Sequence, residues 1–429
     1  MITFRCKIPL LAGVSVLTAL GTGCPQPAQN PIRVGVVLAL TGPNSAAGEN
    51  QKDAAILAAE QINAAGGVLG RPLELDLRDD QSTVAVAEMV ARDLVSPDGG
   101  TPDAGVQVML GSNPGGNSLR IATAVTGPAR VVQISGASSA PELSNLGTGY
   151  FFRTVPSDKY GMALQARRAT EAGYTKVAQI YSPTLATTAA VFAKAFKAQG
   201  GTITKGPIGP NGPNPDGYLI TENQTSYKSV LAETFAGNPE AIQISCRLLD
   251  TAQIVRDYLD NYVGNGTYWY FSLQHAQSDF VTAVGRDRFT FLHEGARPTI
   301  LPGNDRFPFF QSSFQAKYGR LPEGYGQANT YDAVMVLALA ISAAGAVEGP
   351  AVHDWMQKVS RDGTKYGPSE IADALVAAKR NDIDYAGASG EVDFDNNGDV
   401  ITGYDVWRVA LDGTINNEQT DIVAPEPPP

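Results

Sequence analysis

The 429 residues include only three cysteines, three histidines and three tryptophans, and Cys246 is the one cysteine beyond the first two dozen positions. It has no partner for an intramolecular disulfide in the folded part, so stability has to come from a buried core, which a chain of this length can build. His275, His293 and His353 stand at no metal-ligand spacing, and no Gly-x-Ser-x-Gly elbow occurs. Basic residues are scarce as well: 32 Lys and Arg against 43 Asp and Glu give a net charge of −11. That sign argues against nucleic acid, whose binding needs clustered cations. Past residue 20 no stretch is long and apolar enough to span a bilayer. These shortages leave an acidic, core-stabilised chain for which no catalytic centre, cofactor or metal is expected.

The first two dozen residues hold Arg5 and Lys7, an apolar stretch over 8–20, then Gly21-Thr22-Gly23-Cys24. This pattern predicts a secretory leader over 1–23 and an exported mature chain, periplasmic or at the cell surface. A cysteine straight after the cleavage zone suggests acylation of Cys24, although Gly21 stands where a leucine is usual, so an unlipidated product stays open. The proline-bearing 24–30 would then be a spacer from a lipid anchor. Beyond it, residues 34–40 are an apolar run, 41–45 a cluster of breakers, 49–65 a helical pattern ending at Gly66-Gly67, and 73–77 a second strand. This is a βαβ unit. Further strands at 106–110, 131–135, 177–181, 241–246 and 267–271 alternate with helical stretches, the mark of an α/β fold with a mostly parallel sheet. Composition alone does not place a domain boundary.

Leu40-Thr41-Gly42-Pro43, the run INAAGGVLGR at 62–71, SGASSAPEL at 135–143, Phe152-Arg153-Thr154, Tyr331-Asp332-Ala333-Val334 and the stretch 394–399 follow one another in an order that resembles the leucine/isoleucine/valine-binding family of type I periplasmic binding proteins. The resemblance covers roughly 31–413. It implies two Rossmann-like lobes joined by a three-strand hinge, with 31–154 and 299–388 in lobe I, 155–298 and 389–415 in lobe II, and a disordered tail over 416–429. Lobe crossings are expected near 153–157, 297–303 and 387–391. It also implies a monomeric, non-catalytic receptor that closes over a small-molecule ligand and meets the permease of an ABC importer. A sensing role feeding a signalling protein is the alternative, and an exported α/β hydrolase a remote one.

The same resemblance points to pocket residues. Loop 111–118 supplies Ser112, Asn113, Gly115 and Gly116, and loop 136–139 supplies Ala137, Ser138 and Ser139, the last at the place of a carboxylate-binding hydroxyl. Elsewhere the pattern departs from the family: Ala47 and Ala186 replace aromatic residues, Arg247 falls where another aromatic is usual, and Gln274 where relatives aim a glutamate at an ammonium. A guanidinium gained and a carboxylate lost would favour an anionic or polar ligand without an obligatory α-ammonium, or a bulkier one filling the vacated space.

Several other signals are expected to be structural. Asp393, Asp395, Asn397 and Asp399 imitate the start of an EF-hand loop, but Tyr404 stands where a bidentate glutamate is needed, so a β-hairpin turning on 396–399 is expected instead. Gly66-Gly67 follows a helix and reads as its stop. Asp79 and Asp80 read as loop caps, and His353 as structural. The Pro/Gly-rich stretches 96–105 and 206–217 are predicted surface loops.

Overall fold

The computed structural model describes residues 30–96, 105–204, 208–209, 212–213, 216–262, 264–300, 303–322 and 326–423. The leader, Cys24, the spacer up to residue 29, most of loop 96–105, parts of 206–217 and the end of the tail, 424–429, lie outside the described residues.

Strand β1 (Ile32–Leu38) buries Val34, Val36 and Val37 completely, the two-sided burial that a strand inside a helix-covered parallel sheet requires. Helix α1 (Ser45–Ala64) begins earlier than the apolar periodicity suggested. The breakers occupy only a short turn, closed by Ser45 N–H to Gly42 O at 3.1 Å, and Gly48 packs on the carbonyl of Ala39. Gly66 and Gly67 then take φ of +101° and +75°, a left-handed exit that glycine adopts without steric cost. The chain continues through β2 (Leu73–Asp79), α2 (Val84–Val95), β3 (Val108–Gly111), α3 (Gly115–Ile121), α4 (Gly127–Ala129), β4 (Val132–Ser135) and β5 (Phe151–Arg153). These strands make a parallel sheet in the order β2-β1-β3-β4-β5.

The chain then passes into a second sheet. Helix α5 (Asp158–Glu171), capped by the Ser157 hydroxyl on Lys159 N–H, leads to β6 (Lys176–Tyr181), α6 (Ala186–Ala198), β7 (Thr202–Ile203), β8 (Ile208–Gly209), β9 (Gly212–Pro213) and β10 (Tyr218–Leu219). After these come α7 (Lys228–Ala236), β11 (Ala241–Ser245), α8 (Leu248–Asn261), β12 (Tyr268–Phe271), α9 (Ser278–Val284) and β13 (His293–Pro298). Returning to the first lobe, the chain forms α10 (Phe307–Tyr318), α11 (Gln327–Ala344), α12 (Gly349–Met356), β14 (Lys365–Tyr366), α13 (Ile371–Ala378) and β15 (Asp384–Tyr385). It ends in lobe II with β16 (Gly403–Val409) and β17 (Ile415–Val423). The second sheet runs β10-β6-β11-β12-β13-β16-β17, with β7 beside β6 and the last two strands antiparallel.

Three boundaries differ from expectation. Residues 389–400 belong with lobe I, because Val392, Phe394 and Val400 bury into its core and Phe394 meets Phe152 edge-on at 5.3 Å. The third crossing therefore lies near 401–402. The expected hairpin at 396–399 is a turn alone: Gly398 has φ +76° and Asp395 N–H meets Asp399 O at 2.8 Å, but the flanks are extended chain without a strand ladder. Alternating apolar residues there mark burial against a core, which pairing does not require. Residues 416–423 are no disordered tail, since β17 lies along β16 from Ile415 to Val423.

At the hinge, Thr299 N–H donates to Gly403 O at 3.0 Å and the Thr402 hydroxyl to Thr299 O at 3.1 Å, so the second and third crossings run side by side. Arg153, fully buried at the first crossing, meets Asp399 at 2.7 Å and also donates to Ser138 O, Ala140 O and the Ser144 hydroxyl. Lys159 of α5 reaches the other Asp399 oxygen at 3.2 Å. Burial alone would raise the Asp399 carboxyl; the Arg153 charge and hydrogen bond outweigh it and hold the group below its ordinary value.

Candidate functional site

In an open parallel sheet the loops beyond the strands' carboxyl ends are free to meet a ligand, and the order 2-1-3-4-5 splits apart between β1 and β3. Here the loops leaving β1, β3, β4 and β5 all converge on one cleft of about 940 Å³ between the lobes. From lobe I it is lined by Asn44, Ala47, Asn50, Asn113, Gly115, Gly116, Ala137, Ser139 and the start of α11. From lobe II come Thr184, Leu185, Thr188, Ser272, Gln274 and Gln277, and from the crossings Thr154, Asp158, Arg297 and Thr299.

The lobe I wall is held rigid from behind. Ser112 O accepts the hydroxyls of Ser118 (2.9 Å), Ser135 (2.7 Å) and Ser138 (2.9 Å), while the Ser112 hydroxyl is bound to Asp80. The Asn113 side chain takes Ala39 N–H at 2.8 Å, locking the β1 and β3 loops together. Asp79 accepts Leu40, Thr41 and Gln81 N–H groups at 2.8–3.1 Å, the loop-cap role expected of it. Gly115 has no space for a side chain, since an added Cβ would lie 2.7 Å from that of Ala140.

Seven of the eleven sequence-predicted pocket residues line the cleft: Ala47, Asn113, Gly115, Gly116, Ala137, Ser139 and Gln274. Ser112 and Ser138 are fully buried one layer behind, where their hydroxyls brace the loops. Ala186 and Arg247 are not among the lining residues. Thr184, Leu185 and Thr188 take the position expected for Ala186, because the chain makes a 3-10 turn at Pro183–Leu185 before α6 starts. Arg247 precedes α8, is 52% exposed and pairs with Glu222 at 3.5 Å, so the expected reversal of the cleft's charge does not occur through it. Gln274 also spends its amide on Cys246 O at 2.6 Å.

The counting of family positions missed Asp158, the first residue of α5 after the first crossing. Its Oδ1 is enclosed and has no hydrogen-bond partner among the described residues, although the side chain lines the cleft beside Ser139. Burial pushes its carboxyl up to about 7; the Ser139 hydroxyl and the Arg153 charge pull the other way, and Glu142 adds to the rise. A carboxylate so placed is a ready acceptor for a cation. Its place in PSDKY, one residue beyond Phe152-Arg153-Thr154, was the available signal. Among the described residues the other ionisable lining groups are Glu142, Asp279, Glu391 and Asp405 against Arg297 alone, which gives this lining a negative balance. Thr154 and Asn329, also missed, hold each other across the cleft floor through two bonds of 2.7 and 2.6 Å. His275, close behind Gln274, is buried with its imidazole pushed down to about 3, bonded to Thr251 and Cys246 O. It is a neutral structural group.

Two lobes, a hinge of three crossings and a polar cleft meet a family match over residues 31–413 to the periplasmic binding proteins. The chain belongs to that family. Among named relatives, the leucine-, isoleucine-, valine-, threonine- and alanine-binding protein of Pseudomonas aeruginosa is 33% identical over 135 residues, 30% of this chain and 33% of that one. The curated relatives are thus matched over about a third of their length. Solved structures match throughout. The leucine-binding protein of Thermotoga maritima superposes with a TM-score of 0.71 at 21% identity, covering 91% of this chain and 99% of that one. The branched-chain amino acid transporter substrate-binding protein of Streptococcus pneumoniae, in complex with isoleucine, gives 0.70 at 20% identity, covering 92% and 100%. The binding protein described here therefore has the type I periplasmic binding fold.

Proposed function

We propose that this binding protein is an extracytoplasmic receptor for an ABC importer, taking an amino acid or a related small carboxylate or amide into the interlobe cleft. The observation that carries this reading is the cleft's division of labour. Lobe I offers loop amides suited to a ligand carboxylate, with the Ser139 hydroxyl to be recruited from Asp158 when an ammonium takes its place there, while Asp158 offers an enclosed, unpartnered oxygen suited to that ammonium. A zwitterion supplies both. Gln274 and the small residue Ala47 leave the side-chain end of the ligand without a fixed charge partner. Closure of lobe II about the crossings would bury the ligand and create the surface that a permease reads. The role is binding, with no turnover of the ligand. Export by the leader and lipid attachment at Cys24 belong to the same proposal.

Isothermal titration at pH 8 with leucine, isoleucine, valine, alanine and threonine, with aliphatic diacids and with benzoate as an aromatic acid tests the ligand class. Binding of one or more amino acids supports it. Binding confined to diacids or aromatic acids would overturn it. Mass spectrometry of protein purified without denaturation would name a co-purified ligand directly.

A further inference from the structure

The EF-hand-like spacing at 393–399 does not gather its own carboxylates. Asp395 caps the N–H groups of Asn397 (2.8 Å) and Asp399 (2.9 Å), and Asp399 is committed to Arg153 and Lys159. Asp393 finds other company. Strand β15 pairs with β14 so that Asp384 stands beside Lys365, and the chain then folds back through a bridge between Ala386 and Glu391. Carboxylate oxygens of Asp384, Glu391 and Asp393 thereby come within 4.8 Å of one another. Asp384 is the decisive member: it is 7% exposed, and its Oδ1 is enclosed without any hydrogen-bond partner among the described residues. A buried carboxylate oxygen left without a donor is costly, yet the Asp384 carboxylate sits next to two further acids.

We propose that Asp384, Glu391 and Asp393 form a binding site for a hard divalent cation, calcium above all. Two oxygens bound to one calcium at about 2.4 Å can be at most about 4.8 Å apart, and the three oxygens here fall within that limit. The three oxygens would occupy one side of the ion and water the rest, since Glu391 and Asp393 face solvent. Lys365 lies on Glu391 at 2.8 Å and is 51% exposed, so its ammonium is a mobile neutraliser that an ion would displace. Arg361 and Asp362 add charges of opposite sign nearby, and burial together with the neighbouring acids raises the Asp384 and Asp393 carboxyls. Residues 386–391 lead toward the third crossing, so an ion here would stiffen the lobe I side of the hinge. Glu391 also borders the ligand cleft, whereas Asp384 and Asp393 do not, so variants at these two test the cation site apart from the ligand proposal.

The test uses the full mature chain freed of metal with EDTA. Calcium chloride is titrated calorimetrically, and melting temperature is followed in EDTA and in millimolar calcium. Weak binding is expected, with Kd of about 10⁻⁴–10⁻³ M, the range of extracellular calcium sites, and a higher melting temperature with calcium. Asp393→Asn, on the exposed side, is expected to fold normally in EDTA and to weaken binding by at least about tenfold. Asp384→Asn should abolish it, and Lys365→Met should tighten it. Absence of heat and of any melting shift up to ten times the expected Kd would overturn the proposal. So would a calcium response unchanged in Asp393→Asn, since the ion would then bind elsewhere.

Discussion

Replacing Asp158 by asparagine keeps the shape of the cleft and removes one charge. In the empty protein that carboxyl is pushed up to about 7 from an ordinary 3.8, so the folded state binds more protons than the unfolded chain between those values. Stability therefore falls as pH rises through this window, and above pH 7 the charge is a cost. Each pKa unit corresponds to about 1.4 kcal/mol, which sets an upper bound of about 4 kcal/mol; solvent in the cleft reduces this to about 1–3 kcal/mol. The Asp158→Asn protein without ligand should be more stable than wild type at pH 8 and equal to it near pH 4. Binding should move the opposite way. A ligand ammonium about 4 Å from the carboxylate gains a few kcal/mol at intermediate dielectric, so Asp158→Asn should weaken amino acid binding about 10–100-fold at pH 8. In wild type the affinity should fall nearly tenfold per pH unit from 7 toward 5, as the empty carboxyl takes up its proton; in the variant this slope should vanish. Calorimetric titration at pH 5.5, 6.5 and 8, with thermal melts of the empty proteins, reads both effects. A variant that binds with wild-type affinity and wild-type pH slope would refute the reasoning, and so would an unchanged melting curve.

Asp399→Ala leaves Arg153 buried without its anion and should cost about 3–5 kcal/mol in urea unfolding at pH 7. Because the folded Asp399 carboxyl is held below 3.8, the pair's contribution is present above that value and lost as pH falls through the still lower folded pKa, so the difference from wild type should narrow only in strong acid. Arg247→Ala should change ligand affinity by no more than about twofold, since its half-exposed side chain lies outside the cleft lining; a larger loss by calorimetry would bring its guanidinium back to the cleft. Trp407→Ala, which removes a fully buried ring stacked on Phe271 and lying over Gly295, should cost about 3–5 kcal/mol, read as a lower urea midpoint.

The first lobe was legible because its signals are local. The β1 apolar run, the breakers after it and the Gly66-Gly67 stop each act within a few residues, and the loops beyond β3 and β4 fall where strand ends must put them. Most of the expected pocket residues that line the cleft lie in those loops, where the family resemblance marked them. Second-lobe positions were harder because they were counted from a strand end across a turn: the 3-10 turn at Pro183–Leu185 carries Ala186 past the cleft, and the extended backbone before α8 lets Arg247 reach Glu222 instead. The third crossing, set near 387–391 by the family resemblance, comes later because Val392, Phe394 and Val400 pack into the lobe I core. Asp158 was overlooked because its character comes from enclosure, and enclosure depends on Ser139 and Glu142, which are distant in the chain until the crossing folds.

Lobe II closes its sheet with β16, laid against β13 from a point more than a hundred residues later, and Trp407 in that strand fills the space over Gly295. A chain made from its N-terminus therefore holds an unfinished sheet with an open apolar face until residues 403–409 emerge. Loss of the segment after 402 would do more than shorten an edge: it would remove the strand beside β13 and the far side of the hinge together. On the proposed reading, a product that stops before residue 403 would fail to hold the ligand even with every lobe I contact in place.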